Sequence, residues 1–132
     1  MPVNVQWFEP DRVLVYEFNG RITLGDLETL YRLEAPFYDS LEPGACLAVL
    51  LDLTHLYSVP AELFAPLQQS RMVNDPRVRV AGVAGANSYL RALATSLGLI
   101  AAKRTGFAFY QTRAEALRQL GGQPTLPVTE AI

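Results

Sequence analysis

CLAVLLDL, residues 46–53, decides how this chain folds. It is apolar at every position except Asp52 and shows no alternation between faces. A strand with one wet face alternates. An unbroken apolar run fits a strand covered on both faces, hence a parallel sheet with helices on either side. THLYS (54–58) follows directly, so Asp52, Thr54, the chain's only histidine (His55) and Ser58 crowd the exit of this strand.

Working outward toward the N-terminus, VNVQWF (3–8) puts Val3, Val5 and Trp7 on one face, the period of a strand. Glu9-Pro10-Asp11 is turn chemistry. RVLVYEF (12–18) is rich in β-branched and aromatic residues, so a second strand and an antiparallel hairpin are expected. Thr23, with Asp26 three residues on, predicts an N-cap, and Leu27, Leu30, Tyr31 and Glu34 follow at helical spacing. Pro36 is expected to kink or end that helix.

Toward the C-terminus, Pro60 suits a first helical position and Glu62 the positive helix end. That helix is expected to run through Leu63, Phe64, Leu67 and Met72, either bending at Pro66, the preferred reading, or beginning near Ala65. VRVAGVAG (78–85) predicts a strand whose small residues permit close approach. Asn87 or Ser88 should cap a helix with the stripe Leu90, Leu93, Ala94, Leu97 and Ile100, ended by Thr105-Gly106. FAFY (107–110) is a short strand, and Thr112 with Glu115 forms a reciprocal capping box that opens a last helix through Leu117 and Leu120 to Gly121. The expected class is α/β, with order β-β-α-β-α-β-α-β-α. Its sheet is mostly parallel, with an antiparallel N-terminal edge strand and helices packed on it. Residues 1–120 read as one domain and 121–132 as a loosely ordered tail.

The totals exclude several classes. Of 132 residues, half are hydrophobic and 18% charged, which marks a globular chain and not a disordered one. A net charge of −2 gives no basic footprint for nucleic acid. No apolar run is long enough to span a membrane, and no secretory leader is evident. A cytoplasmic protein is expected. Cys46 is the single cysteine, so no internal disulfide can form.

The ordered words FNGRIT (18–23), LAVLLDLT (47–54), VRVAGVAG (78–85) and FAFYQTRAEALRQL (107–120) together resemble the STAS-like superfamily, and within it the SpoIIAA-like group. The resemblance covers about residues 1–120. It implies a regulatory domain that binds a protein partner or itself, and no catalysis. Anti-sigma-factor antagonists of this superfamily are switched by phosphorylation at the start of the helix after the third strand. Aligning Asp52-Leu53-Thr54 with the family's strand-end word puts Ala61 or Glu62 there. Neither carries a hydroxyl.

The same residues bear on other chemistries. Asp52, His55 and Ser58 have the residue types of a hydrolytic triad but no nucleophile elbow. Cys46 and His55 sit at opposite ends of one strand, too far apart to pair. One histidine and one cysteine do not offer a metal site. GVAGAN (82–87) lacks both phosphate-loop spacings. In open α/β sheets, ligands gather at the carboxyl ends of the parallel strands. That edge collects Asp52, Thr54, His55 and Ser58, then Asn87, Ser88 and Tyr89, then Gln111 and Thr112. A second candidate surface, an apolar pocket or interface, comprises Tyr31, Phe37, Tyr57, Phe64 and Leu67, with Tyr38 and Met72 part of the same apolar surplus. The expectation is a non-enzymatic domain without cofactor or metal, acting as a homodimer or with a protein partner. A carrier of a small apolar or lipid-like ligand is the alternative, and a small hydrolase using Ser58 and His55 the remote one.

Overall fold

A computed structural model describes residues 2–92, Thr95 and 106–121. Local chemistry sets the first element boundaries. Strands β1 (Val3–Glu9) and β2 (Val13–Arg21) pair antiparallel, from Val3 opposite Phe18 to Trp7 opposite Leu14. Between them Asp11 takes a left-handed φ of 64°, which Asp tolerates better than most residues. The Arg12 N–H closes the turn onto the Glu9 carbonyl at 3.0 Å. Thr23 caps helix α1 (Leu24–Asp39) with a reciprocal box. The Asp26 N–H donates to Thr23 Oγ1 at 3.2 Å, and the Thr23 N–H donates to Asp26 Oδ2 at 2.8 Å.

Strands β3 (Leu47–Ser58), β4 (Val78–Ala84) and β5 (Gly106–Tyr110) complete a five-stranded sheet in the order β1-β2-β3-β4-β5, parallel from β2 onward. Each crossover steps one strand in the same direction. Right-handed crossovers then put every connecting helix on one face of the sheet. The core agrees. One buried cluster joins Val5, Leu14, Tyr16 and Val49 to Leu27 and Leu30 of α1 and to Leu63, Leu67, Met72 and Leu90 of the later connections. A second, on the opposite face, joins Val13, Val15, Leu50 and Ala84 to Ala116 and Leu120 of helix α5 (Arg113–Gly121). Val49 and Leu50 therefore face opposite layers, and both are fully buried. This is the physical origin of the unbroken apolar run in β3. Gly82 lets α5 and β5 close over the sheet: a Cβ there would stand 2.9 Å from Tyr110 Cε2 and 3.3 Å from Leu120 Cδ1.

Four expectations are corrected. Pro36 does not end α1, which runs on to Asp39. Buried Tyr38 holds the last turn in the core, and the Ser40 N–H bonds the Pro36 carbonyl at 3.2 Å. Strand β3 does not stop near Leu53 but continues through Ser58. It does so because Asn19, Gly20 and Arg21 of β2 pair with His55, Leu56 and Ser58, with two register shifts absorbing the extra residues. The helix expected after Pro60 is not one bent helix. It is a 3₁₀ turn (Ala61–Leu63), a single helical turn α2 (Phe64–Leu67) and another α3 (Arg71–Asn74). Pro66 sits inside the first turn of α2, where its missing N–H leaves no bond unmade. Ser70 starts α3 afresh by accepting the Met72 N–H at 3.3 Å. Finally, the Glu115 carboxylate accepts from the Gln111 N–H at 3.2 Å and not from Thr112, although the Glu115 N–H does bond Thr112 Oγ1 at 3.1 Å.

Helix α4 opens at 88 under Asn87, whose Oδ1 accepts the Leu90 N–H at 2.8 Å. The expected stripe residues Leu93, Ala94, Leu97 and Ile100, the stop at Thr105 and the tail 122–132 lie outside the described residues.

Candidate functional site at the carboxyl edge of the sheet

The strands β2 to β5 share one direction, so their ends at Arg21, Ser58, Ala84 and Tyr110 form one edge. Asp52 lies just inside it and is buried. Its Oδ1 accepts both the Thr54 N–H (3.1 Å) and the Thr54 hydroxyl (2.6 Å). Its Oδ2 accepts from Arg113 Nη1 at 3.2 Å. Glu17 stands opposite Asp52 in the parallel register and takes the same Nη1 at 3.0 Å. Two carboxylates on adjacent strands would repel. Arg113, the first residue of α5, lies between them and ties that helix to the sheet. Beside this cluster, Gly85 has φ 77°, and a Cβ there would meet Thr54 Oγ1 at 2.5 Å. The loop after β4 thus rests on the Asp52–Thr54 turn.

Next along β3, His55 and Thr54 are exposed, Leu56 turns into the core, Tyr57 is 81% exposed and Ser58 is half-buried. Among the described residues no hydrogen bond joins His55 to Asp52 or to Ser58, and Asp52 is committed to Thr54 and Arg113. Cys46 precedes the first residue of β3, nine positions from His55, roughly 30 Å along an extended strand. Tyr89, 52% exposed, donates its hydroxyl to the Val59 carbonyl at 3.4 Å and so joins the start of α4 to the segment after β3. Ser88 is exposed beside it, and Asn87 is exposed but occupied as the cap. Leu24, at the start of α1 on the same edge, is 54% exposed. Ala61 and Glu62 are both exposed at the 3₁₀ turn.

Of the five apolar residues expected together, Tyr31, Phe37, Phe64 and Leu67 lie in or against one core cluster, and Tyr57 lies outside it. The Tyr31 hydroxyl donates to the Pro66 carbonyl. Leu67 is buried and Phe64 partly buried in the same core layer. Phe37 packs edge-to-face with Trp7 of β1, ring centroids 5.5 Å apart. Tyr57 points to solvent.

A buried polar network went unseen in the sequence. Glu34 is 2% exposed. Its Oε1 accepts from the Tyr16 hydroxyl (2.5 Å) and the Ser70 hydroxyl (2.8 Å), and its Oε2 accepts from the Arg71 N–H (3.0 Å). The Tyr38 hydroxyl meets that of Tyr16 at 2.8 Å. Burial, then the neighbouring Tyr38 and Glu34, hold the Tyr16 hydroxyl well above its ordinary pKa. Burial likewise raises Tyr38. The available signal was Glu34 itself, seven residues after Leu27 and four after Leu30, on the core stripe of α1. The Glu17–Arg113 contact had a signal too, since Glu17 shares its strand parity with Val13 and Val15. Among the described residues no group of three or more His, Cys, Asp or Glu could hold a metal ion, and no helix is long and apolar enough to cross a membrane.

Comparison with known proteins places the fold. No family model matches the sequence, and no curated protein matches it. An uncharacterized protein with a SpoIIAA-like fold from Shewanella loihica PV-4 superposes with a TM-score of 0.67 at 14% identity, covering 89% of this chain and 91% of that one. The anti-sigma factor antagonist SpoIIAA in its unphosphorylated form gives 0.63 at 11% identity, covering 91% and 98%. An anti-sigma factor antagonist from Mycobacterium paratuberculosis gives 0.54 at 16% identity, covering 90% and 92%. The chain has the SpoIIAA-like fold, with its antiparallel first strand and parallel remainder.

Proposed function

We propose that this chain is a non-enzymatic regulatory domain that binds a protein partner through the carboxyl edge of its sheet. The observation that carries the reading is Tyr57, an aromatic side chain 81% exposed at the end of β3. Tyr89 and Leu24 extend it along the same edge. Exposed aromatics on a rigid strand end are the residues from which interface hot spots are made. Two proteins of the same fold are anti-sigma factor antagonists, which supports the same class of action. At the helix start after β3 this chain has Ala61 and Glu62, so the partner is held without a hydroxyl-based phosphoswitch at that place. An apolar-ligand carrier is the weaker reading, because the seam between α1 and α2 is bridged by Tyr31 and filled by Leu67.

A photo-crosslinking residue placed at 57, compared in cells with one at exposed Pro43 on the opposite edge, tests this. The expected result is a discrete protein adduct from position 57 and none from 43. Equal adducts, or none at 57, contradict the proposal, as does any turnover abolished by His55→Ala in a folded protein.

A further inference from the structure

Among the described residues nothing pairs with the outer edge of β1, which stands first in the sheet order. The register sets Pro2 opposite Asn19, whose N–H donates to the Pro2 carbonyl at 2.7 Å. Bonded and unbonded pairs alternate along an antiparallel ladder. Asn4 and Gln6 therefore turn their backbone groups toward β2, while Val3, Val5 and Trp7 turn theirs outward. The far side of β2 agrees, because the Arg12 carbonyl accepts from the Ala48 N–H of the next strand at 2.8 Å. Natural edges are normally blunted by Pro, Lys, other charges or a bulge. From Val3 to Phe8 the strand has no proline and no charge, and its irregularity comes only between Trp7 and Glu9. Beside this open edge, on the α1 face, the Trp7–Phe37 pair is left half-buried.

We infer that β1 pairs antiparallel with β1 of a second copy of this chain, about a two-fold axis at Val5, joining two sheets into one. This register is chemically self-complementary. Val5 meets Val5 and Val3 meets Trp7 on the helix-bearing face, continuing the apolar layer. Asn4 meets Gln6 on the other face, amide against amide. The outward groups of Val3, Val5 and Trp7 all fall in bonded pairs, giving about six backbone hydrogen bonds across the axis. Centring the pair on Gln6 would set Val3 against Glu9 and Asn4 against Phe8, which matches poorly. The strand thus fits itself, and a second copy is its occupant. This interface is on β1 and is independent of partner binding at the carboxyl edge.

Sedimentation velocity on the full chain over a wide concentration range tests it, using substitutions at half-buried Asn4 and exposed Gln6. The natural chain should show reversible association to twice its 14.6 kDa mass. Asn4→Lys with Gln6→Lys sets Lys against Lys at both cross-axis pairs and should weaken the dimer roughly tenfold or more. Asn4→Lys with Gln6→Glu sets opposite charges there and should keep it. A circular dichroism melt checks that each variant is folded. A natural chain that stays monomeric overturns the inference, whether its edge is covered by its own residues or reserved for a foreign strand. An Lys/Lys variant that dimerises as well as the natural chain overturns the interface, and an Lys/Glu variant that fails to dimerise overturns the register.

Discussion

Glu34 shows what one residue does in this fold. A carboxyl group removed from water is costly unless hydrogen bonds replace its hydration. Here Tyr16, Ser70 and the Arg71 N–H supply them. The network staples α1 to β2 and to the start of α3, elements that the sequence leaves connected only by loops. Glu34→Ala would leave the Ser70 hydroxyl and the Arg71 N–H without their acceptor and the Tyr16 hydroxyl with Tyr38 alone, so a loss of about 2–4 kcal/mol is expected. Glu34→Gln, which keeps the volume and one acceptor, should lose clearly less. Urea unfolding at neutral pH measures both, and equal losses would contradict the hydrogen-bond account. The sequence placed Glu34 on the helical period but not its partners. Tyr16 and Ser70 are 18 and 36 residues away, and no local pattern encodes which distant hydroxyl a buried carboxyl will meet.

At the scale of elements, the C-terminus of α1 depends on a residue from beyond β3. The last turn of α1 has no basic residue, yet its carbonyls are capped. Arg77 donates to the carbonyls of Leu41 at 2.9 Å and Tyr38 at 3.0 Å, while its Nη2 also pairs with Asp75 Oδ2 at 2.7 Å. The hydrogen bonds from Arg77 outweigh burial and hold the Asp75 carboxyl below its ordinary value. A carboxyl whose folded pKa is depressed stabilises fully above the unfolded value, near 3.9, and loses that contribution as pH falls through the lower folded value. Asp75→Asn should therefore flatten the acid limb of the stability curve below about pH 4. Thermal melts across that range check this, and an unchanged acid limb would contradict it. Element boundaries were legible where they rest on local chemistry, as with the Thr23 box and the Glu9–Arg12 turn. They were misread where tertiary contacts decide. Tyr38 carries α1 past Pro36, and pairing with Asn19 to Arg21 carries β3 past its polar exit.

For the whole molecule, the unbroken apolar run of β3 was enough to require two covered faces, and the order of elements did the rest. Crossovers of one hand and one direction put α1 to α4 on one side, leaving α5 the other. The carboxyl edge was legible as a location because it follows from strand direction alone. Which of its residues are free was not. Asp52 looks catalytic in sequence but is spent on Thr54 and Arg113, whereas Tyr57 looks like core and stands in solvent. For Tyr57 the difference lies in the register shift between Asp52 and His55, after which Leu56 and not Tyr57 joins the core layer of Leu53, and which has no sequence signature of its own.

If that exposed edge is where a partner docks, Tyr57 should behave as a binding anchor. The most direct measurement is the affinity, by calorimetric titration, of the protein captured from position 57 for the natural chain and for Tyr57→Ser. The expected result is a loss of about 2 kcal/mol or more, roughly thirtyfold in Kd, with the melting temperature unchanged. An affinity unaltered by Tyr57→Ser would contradict it.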